Sequence, residues 1–238
     1  MAITVIILCI VGGYLWGSVS LARIITKIIA PGKNLEEVEL PDRNTGGTFQ
    51  LKTVGATTAS MILGPKIGGL IGILDILKGF LPTLLVRLLI PEYPYYLIIG
   101  LAILVGHILP LYFDFKGGGG LSPALGTLLV VDPLGLLISI LAGMVIGVFI
   151  LKNIAFIVMG GPFLFMIWIA LRTRDWILFT YTLILNLLLI IAVIPDVRHN
   201  IQAQRSGKSN LSTSMDSIPM GQMMKKMLNR MGLMRDKK

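Results

Sequence analysis

Seven long apolar runs divide the chain, and they constrain its fold more than any other feature. They cover residues 2–30, 67–90, 95–112, 122–131, 134–151, 154–171 and 176–194. Lipid offers no hydrogen-bond partner to a free backbone group, so runs this apolar must form helices that satisfy their own amides. The fourth run is too short to span a bilayer, which indicates a half-helix packed inside the bundle. The sequence therefore predicts an all-α integral membrane bundle of seven segments.

The composition agrees with a multi-span membrane protein and excludes several kinds of site. Hydrophobic residues make up 55% of the chain and charged residues 14%, which is too little charge for a soluble domain of this length. With Cys9 as the single cysteine and only two histidines, a disulfide framework and a Cys- or His-rich metal site are excluded. We expect no metal and no cofactor.

The distribution of Lys and Arg indicates how the chain crosses the membrane. If the N-terminus is outside, the inner loops hold Lys33, Arg43, Lys52, Lys66, Lys116, Lys152 and the nine Lys and Arg of residues 195–238. The outer loops then hold only Arg172 and Arg174. Because positive charge concentrates in cytoplasmic loops, this asymmetry predicts an outside N-terminus and a cytoplasmic C-terminus.

Residues 208–238 form a basic, methionine-rich tail behind a membrane domain of residues 1–207. Six methionines between residues 220 and 234 recur at helical spacing with basic residues among them, a pattern typical of an amphipathic helix on a membrane surface. A helix that binds a partner protein is the alternative. Anionic membrane lipid is the expected partner of the basic charge. We expect no nucleic-acid binding, because no aromatic residues alternate with the charges.

The stretch KGGGGLSPA, residues 116–124, joins the third run to the fourth. Glycine lets ligand oxygens approach the backbone closely, and Ser122 followed by Pro123 predicts the cap and first turn of a helix. Successive amides, a helix N-terminus and a neighbouring lysine together form a cradle for an anion. A flexible interfacial turn is the alternative. The predicted phosphate site consists of Lys116, Gly117, Gly118, Gly119 and Gly120.

Four polar side chains stand inside apolar runs, where an unpaired charge is costly. Asp75 and Lys78 are three residues apart on one helix face, which predicts a pair turned toward the bundle interior. This pair is either structural or places Lys78 within reach of a ligand. His107 is either a packing residue or a general base. Ser18 is either a helix-packing or a ligand-binding hydroxyl.

Two further regions share the cytoplasmic side with the glycines in this topology. Loop 31–66 contains PDRNTGGTF, in which Arg43, Gly46 and Gly47 predict a second anion site. The segment PDVRHNIQAQRSG places Asn200 just after the last span, where its amide can donate and accept hydrogen bonds. Loops that meet on one face of a bundle can form one site, so we expect the three regions to converge.

Several motifs follow one another in the order of a known enzyme family. They are GYLWGS at 13–18, VGAT at 54–57, DILKGFLP at 75–82, GHILPLYFDFKGG at 106–118 and NIQAQRSG at 200–207. From Gly13 to Gly207 the chain resembles the PlsY family of acyl-phosphate:glycerol-3-phosphate acyltransferases. The resemblance implies a seven-helix protein of the bacterial inner membrane. It also implies transfer of a fatty acyl chain from acyl phosphate to glycerol 3-phosphate, which yields lysophosphatidic acid for phospholipid synthesis.

The resemblance further implies roles for the candidate residues. Lys116 and the four glycines would hold the donor phosphate, and Arg43 with its two glycines would form the second anion site. His107 and Asn200 would orient the acceptor, so that His107, Lys116 and Asn200 are the candidate catalytic residues. No protein general base is evident, and the leaving phosphate would take the proton itself.

The chain departs from the family's motifs at cationic positions. Gly119 stands where the second motif has its second lysine, and Met61 stands where the first motif has an arginine. Val197 occupies the position of the third motif's histidine. Lys52 or Arg43 would then supply the replacement charge. A non-catalytic, lipid-binding or partner-binding relative and a small transporter using Asp75 are the alternative functions.

Overall fold

The computed structural model of this chain describes residues 2–41, 48–91, 94–205, 215–216 and 219–230. Its α-helices are α1 (Ala2–Gly17), α2 (Leu21–Ile29), α3 (Ala56–Leu63), α4 (Pro65–Leu89), α5 (Tyr95–Ile108), α6 (Leu121–Val131), α7 (Pro133–Val145), α8 (Ile154–Arg172), α9 (Trp176–Arg205) and α10 (Pro219–Arg230). Two 3-10 turns cover Leu35–Glu37 and Leu111–Phe113, and a π-helical turn covers Ile146–Ile150. All seven apolar runs are therefore helical, as predicted.

Loop 31–66 contains a short antiparallel ribbon that the all-α prediction omitted. Strand β1 (Glu39–Pro41) pairs with β2 (Thr48–Gln50), and Glu39 lies opposite Gln50. Each strand has three residues, too few for an alternating pattern of hydrophobic and polar residues to be recognised in the sequence.

Six segments are long and apolar enough to cross a membrane. They are Ala2–Ile29, Pro65–Leu89, Tyr95–Phe113, Pro133–Ile150, Ile154–Arg172 and Trp176–Ile194. Helix α6 is shorter, with 11 residues, and its Ala124 and Leu128 are fully buried. The fourth run thus forms a buried half-helix, and the segments of spanning length number six in the described part of the chain.

Glycines let α4 and α6 cross in close contact. A side chain on Gly79 would strike the backbone of Pro123, and one on Gly126 would strike the backbone of Ile76. Small residues at such crossings bring helix backbones together, which matters because lipid provides little hydrophobic driving force between helices. This crossing fixes the N-terminal end of α6 beside α4 and so positions the loop that precedes it.

Asp132 joins the far end of α6 to α7. Its carboxylate accepts hydrogen bonds from the Gly135 amide at 3.0 Å and from Nε1 of Trp168 at 2.9 Å, and it pairs with Arg172. Partial burial raises the pKa of Asp132, but the hydrogen bonds from Gly135, Trp168 and Arg172 outweigh burial and hold the pKa below its ordinary value. The turn between the half-helix and α7 is therefore held by an ionised N-cap residue.

The tail contains helix α10, which packs against the bundle through one face. Leu228 is 3% exposed and shares a hydrophobic cluster with Val148, Ile154 and Ile157. Met223, on the other side of the helix, is 53% exposed. The helix therefore divides its apolar surface between the bundle and its surroundings, and anchoring to a membrane surface stays a prediction.

Candidate anion-binding site at the glycine loop

The glycine loop, residues 114–120, connects the turn after α5 to α6. Asp114 and Phe115 have φ angles of 49° and 58°, and Gly120 has a φ of 79°. Gly120 is the N-cap residue, and α6 begins at Leu121. The prediction that Ser122 caps this helix is therefore wrong. The left-handed backbone of Gly120, which glycine adopts without steric cost, ends the loop two residues earlier.

Backbone hydrogen bonds hold the loop against α5. The Lys116 amide donates to the Phe113 carbonyl at 2.9 Å, and the Gly118 amide donates to the His107 carbonyl at 3.1 Å. These two amides are occupied, so the predicted cradle is smaller than four glycines suggest. The amides of the first turn of α6 have no acceptor within their own helix. The amides that remain available to an anion therefore lie at the C-terminal end of the loop, at the positive end of the α6 dipole.

The three regions expected to converge do meet at this loop. The Val54 amide donates to the Gly117 carbonyl at 2.8 Å. The Asp196 carboxylate, near the end of α9, accepts from the amides of Lys52 at 2.8 Å and Thr53 at 3.1 Å, and from the Thr53 hydroxyl at 2.5 Å. Loop 31–66 is thus hydrogen-bonded both to the glycine loop and to the segment that follows the last apolar run, which confirms the predicted convergence.

Lys116 belongs to an ion network that was not predicted. Its Nζ lies 3.1 Å from Oε2 of Glu36, and Nη2 of Arg23 lies 2.9 Å from Oε1 of the same carboxylate. Arg23 also donates to the Lys116 carbonyl at 2.7 Å and stacks over the Phe113 ring. The hydrogen bond from Arg23 holds the pKa of Glu36 below its ordinary value, although partial burial acts in the opposite direction. Two cations share one carboxylate, which leaves a positive charge beside the loop.

Four of these contact residues carried little or no signal in the sequence. Arg23 falls inside the first apolar run, and Glu36 lies in loop 31–66 without a motif. Thr53 precedes VGAT, and Asp196 follows the last apolar run. The helix α9 continues past Asp196 to Arg205, and nothing in the local sequence identifies the partner of that aspartate.

Asp75, Lys78 and His107 form a buried polar cluster between α4 and α5. Nζ of Lys78 lies 3.4 Å from Oδ1 of Asp75 and 2.9 Å from Nδ1 of His107. It also donates to the carbonyls of Gly17 at 3.1 Å and Val19 at 3.0 Å. The predicted pair thus faces the bundle interior. The hydrogen bonds of the Lys78 side chain all go to protein groups, which favours the structural interpretation over direct ligand binding.

Ser18 has both of its hydrogen-bonding roles occupied. Its side chain is fully buried, its hydroxyl donates to the Tyr14 carbonyl at 2.8 Å, and it accepts from the Leu111 amide at 3.2 Å. This geometry favours helix packing over ligand binding for Ser18.

Some other predicted site residues lie partly or wholly outside the part of the chain that the structure describes. Arg43, Gly46 and Gly47 fall outside the described residues. Asn200 lies in the last turns of α9, and its side chain is not among those described. Lys52 is exposed beside the Asp196 contact.

The groups gathered at the loop suit an anion rather than a metal ion. Among the described residues, no group of three His, Cys, Asp or Glu side chains could hold a metal. The loop offers backbone amides, a helix N-terminus and the cations of Lys116 and Arg23. Such donors match the oxygens of a phosphate group.

Comparisons with known proteins show which family the chain resembles. The family described as Glycerol-3-phosphate acyltransferase matches residues 7–207. A glycerol-3-phosphate acyltransferase of Geotalea daltonii is 31% identical over 213 residues, which cover 86% of this chain and 96% of the relative. The Myxococcus xanthus glycerol-3-phosphate acyltransferase is 35% identical over 122 residues, which cover 51% of this chain and 57% of the relative.

Two crystal structures of PlsY, an integral membrane glycerol 3-phosphate acyltransferase, match the fold. They contain its lysophosphatidic acid and glycerol 3-phosphate forms, and both align with a TM-score of 0.67 over 86% of this chain. Sequence identities are 26% and 27%, and the alignments cover 93% and 94% of the two structures. The described tail helix lies beyond the residues that the family matches.

Proposed function

Because this chain belongs to the glycerol-3-phosphate acyltransferase family, we propose that it transfers a fatty acyl group from acyl phosphate to glycerol 3-phosphate. The products are lysophosphatidic acid and inorganic phosphate. The observation that carries this proposal is the convergence of the glycine loop, Lys116 and residues 52–54 at one end of an apolar bundle. Amides and cations beside lipid-facing helices suit a substrate that joins a phosphate to an acyl chain.

The donor phosphate binds at the glycine loop in this proposal. Lys116 contributes its charge. Gly117, Gly118 and Gly120 pack against α5, and Gly119 leaves the phosphate oxygens the most open approach to the backbone. The first amides of α6 add donors and the favourable end of the helix dipole. The acyl chain extends from the loop along the apolar helices.

Charge missing at Gly119 and Met61 is replaced from other parts of the chain. Arg23, held against the Lys116 carbonyl at 2.7 Å, places a guanidinium beside the loop and shares the Glu36 carboxylate with the ammonium of Lys116. Arg43 with Gly46 and Gly47, together with Lys52, forms the second anion site for the phosphate of glycerol 3-phosphate. Each such charge-assisted contact is worth roughly 1.5–3 kcal/mol.

The reaction needs no protein base. The acceptor hydroxyl oxygen attacks the acyl carbonyl carbon, and the bond from that carbon to the phosphate oxygen breaks. The departing phosphate accepts the hydroxyl proton, and Asn200 orients the acceptor. The protein thus contributes binding and alignment, which bring the two reactants into reactive geometry.

The setting of this chemistry is the bacterial inner membrane. We infer seven membrane segments, of which α6 is the short one, with the N-terminus outside and the glycine loop on the cytoplasmic side. The excess of Lys and Arg in loops at the glycine-loop end supports this orientation.

The test is acyl transfer by the purified protein in a lipid mesophase, with acyl phosphate and labelled glycerol 3-phosphate. We expect lysophosphatidic acid from the wild type, and a loss of about 10-fold or more in kcat/KM for Lys116→Ala. Lys33→Ala is the matched control, because Lys33 is an exposed lysine at the same end of the chain's fold. Equal activity of Lys116→Ala and Lys33→Ala would remove Lys116 from the site, and no lysophosphatidic acid from the wild type would refute the activity.

A further inference from the structure

His107 presents one ring nitrogen to the buried lysine and the other to the glycine loop. Nδ1 lies 2.9 Å from Nζ of Lys78. On the opposite side of the ring, Nε2 lies next to Gly118, where a Cβ atom on that glycine would collide with it. The imidazole therefore lies between α4 and the loop, and the protonation state of Nε2 decides whether the loop faces a hydrogen-bond donor or an acceptor.

Lys78 determines that protonation through its hydrogen bonds. Its Nζ donates to the carbonyls of Gly17 and Val19 at 3.1 Å and 3.0 Å, and the Asp75 carboxylate at 3.4 Å balances an ammonium charge. An ammonium group has three donors and no acceptor, so its third hydrogen points to Nδ1. Nδ1 then carries no hydrogen, and the hydrogen of the neutral ring must lie on Nε2.

The resulting donor on Nε2 has no acceptor within the described part of the protein. The hydrogen bonds found there engage the His107 side chain through Nδ1 alone. A polar hydrogen next to a glycine loop, without a protein acceptor, is suited to an oxygen of a ligand in that loop.

We propose that Lys78 is a positioning residue that fixes His107 as its Nε2–H tautomer, so that the imidazole donates a hydrogen bond to a phosphate oxygen in the glycine loop. The second half of this statement rests on the proposed function, whereas the tautomer does not. His107 thereby contacts the donor phosphate, and Lys78 acts through it without touching the substrate.

The tautomer can be read directly by nitrogen NMR of the full chain in lipid bilayers. The chain has two histidines, so a His199→Gln background labelled with ¹⁵N-histidine leaves the signals of His107 alone. We expect one protonated and one unprotonated ring nitrogen at neutral pH, assigned as Nε2 and Nδ1. The proposal would be overturned by a hydrogen on Nδ1, which would show that Lys78 is neutral and accepts from the ring. Hydrogens on both nitrogens would overturn it as well.

The role of Lys78 is tested by removing the charge pair as a unit. Asp75→Asn combined with Lys78→Met leaves no uncompensated buried charge, and we expect both tautomers to become populated. An unchanged pure tautomer in the folded double variant would contradict a positioning role for Lys78. If the double variant does not fold, the wild-type spectrum still decides the tautomer.

The phosphate contact has its own readout. Inorganic phosphate should move the Nε2 resonance more than the Nδ1 resonance, and Lys116→Ala should abolish the change.

His107→Ala should raise KM for acyl phosphate about 10-fold or more. In His107→Gln the rise in KM should be smaller, because an amide can donate in place of Nε2–H. An unmoved Nε2 signal in protein that transfers acyl groups would refute the contact but not the activity. If the protein transferred no acyl group, the proposed activity would be refuted, but the NMR spectrum would still show which ring nitrogen of His107 carries the hydrogen.

Discussion

Gly118 and Gly119 are adjacent and chemically identical, but the structure gives them different surroundings. A Cβ atom on Gly118 would collide with the His107 imidazole, whereas one on Gly119 would meet only Cγ1 of Val193, at 3.1 Å. The run of four glycines indicated a close approach of ligand to backbone without distinguishing its members. That distinction depends on side chains from α5 and α9, which local sequence does not specify.

The difference predicts opposite results for side chains at the two positions. Gly119→Lys restores the lysine of the family motif with only a small shift of Val193, and we expect KM for acyl phosphate to fall about 10-fold, the value of one charge-assisted hydrogen bond. Gly119→Ala should behave like the wild type. Gly118→Ala should lose most of its activity because His107 must move. Steady-state kinetics of the three variants checks this, and a fully active Gly118→Ala would contradict the described loop geometry.

Glu36, a single residue, predicts a pH dependence of the protein's thermal stability. Its pKa is lowered from the ordinary value of 4.5, mainly by the hydrogen bond from Arg23. A carboxylate with a lowered pKa in the folded state stabilises the protein above its ordinary pKa, and this contribution is lost as pH falls through the lowered value. Glu36→Gln should therefore reduce Tm at pH 7, and the reduction should become smaller as the pH falls below 4.5 toward 3. Thermal unfolding at both pH values measures this, and an equal difference at both would exclude the Arg23–Glu36 contact as its source.

Helix α6, which is too short to span a bilayer alone, is held at both ends by its neighbours. It is anchored at its N-terminal end by the crossing with α4. At its other end Arg87 donates to the Val130 carbonyl and Asp132 turns the chain into α7. Hydropathy predicted its length and burial, because a run of that size cannot span a bilayer. It could not predict Arg87 or Trp168 as partners, since those residues are distant in sequence.

Substitution of Asp132 should separate capping from charge. Asp132→Ala removes the N-cap of α7 and the acceptor for Trp168 and Arg172, which should lower the free energy of unfolding by about 1–2 kcal/mol. Asp132→Asn keeps a capping oxygen and should cost less. Unfolding in detergent measures both, with acyl transfer as the control for the distant site. Equal losses in the two variants would indicate that charge pairing, rather than capping, holds the turn.

At the scale of the whole molecule, patterns along the chain predicted the elements, and contacts between distant residues made the site. The apolar runs gave the helices, and the convergence of three loops followed from their common side. The pairs Arg23–Lys116 and Lys52–Asp196, separated by 93 and 144 residues, have no local signal. Arg43, Gly46 and Gly47 stay predictions of the second anion site.

The tail should be dispensable for catalysis but attached to the bundle. The family matches residues 7–207, and α10 packs through Leu228 against Ile154 and Ile157. Leu228→Asp places a charge in that cluster and should make the tail more susceptible to limited proteolysis with acyl transfer retained. Met223→Asp, at an exposed position, is the control and should leave the digestion pattern unchanged. Equal digestion of both variants would mean that α10 does not depend on this contact.

The shortness of α6 has a consequence for how the chain is made. Eleven helical residues rise about 16 Å, roughly half the thickness of a bilayer core, so the translocation machinery cannot release this segment into lipid as a separate span. Its binding groove on α4 is synthesised earlier, because α4 precedes it on the ribosome. The order of translation therefore supplies the half-helix with a partner before it leaves the exit tunnel, and a circularly permuted gene that placed α6 ahead of α4 would remove that advantage.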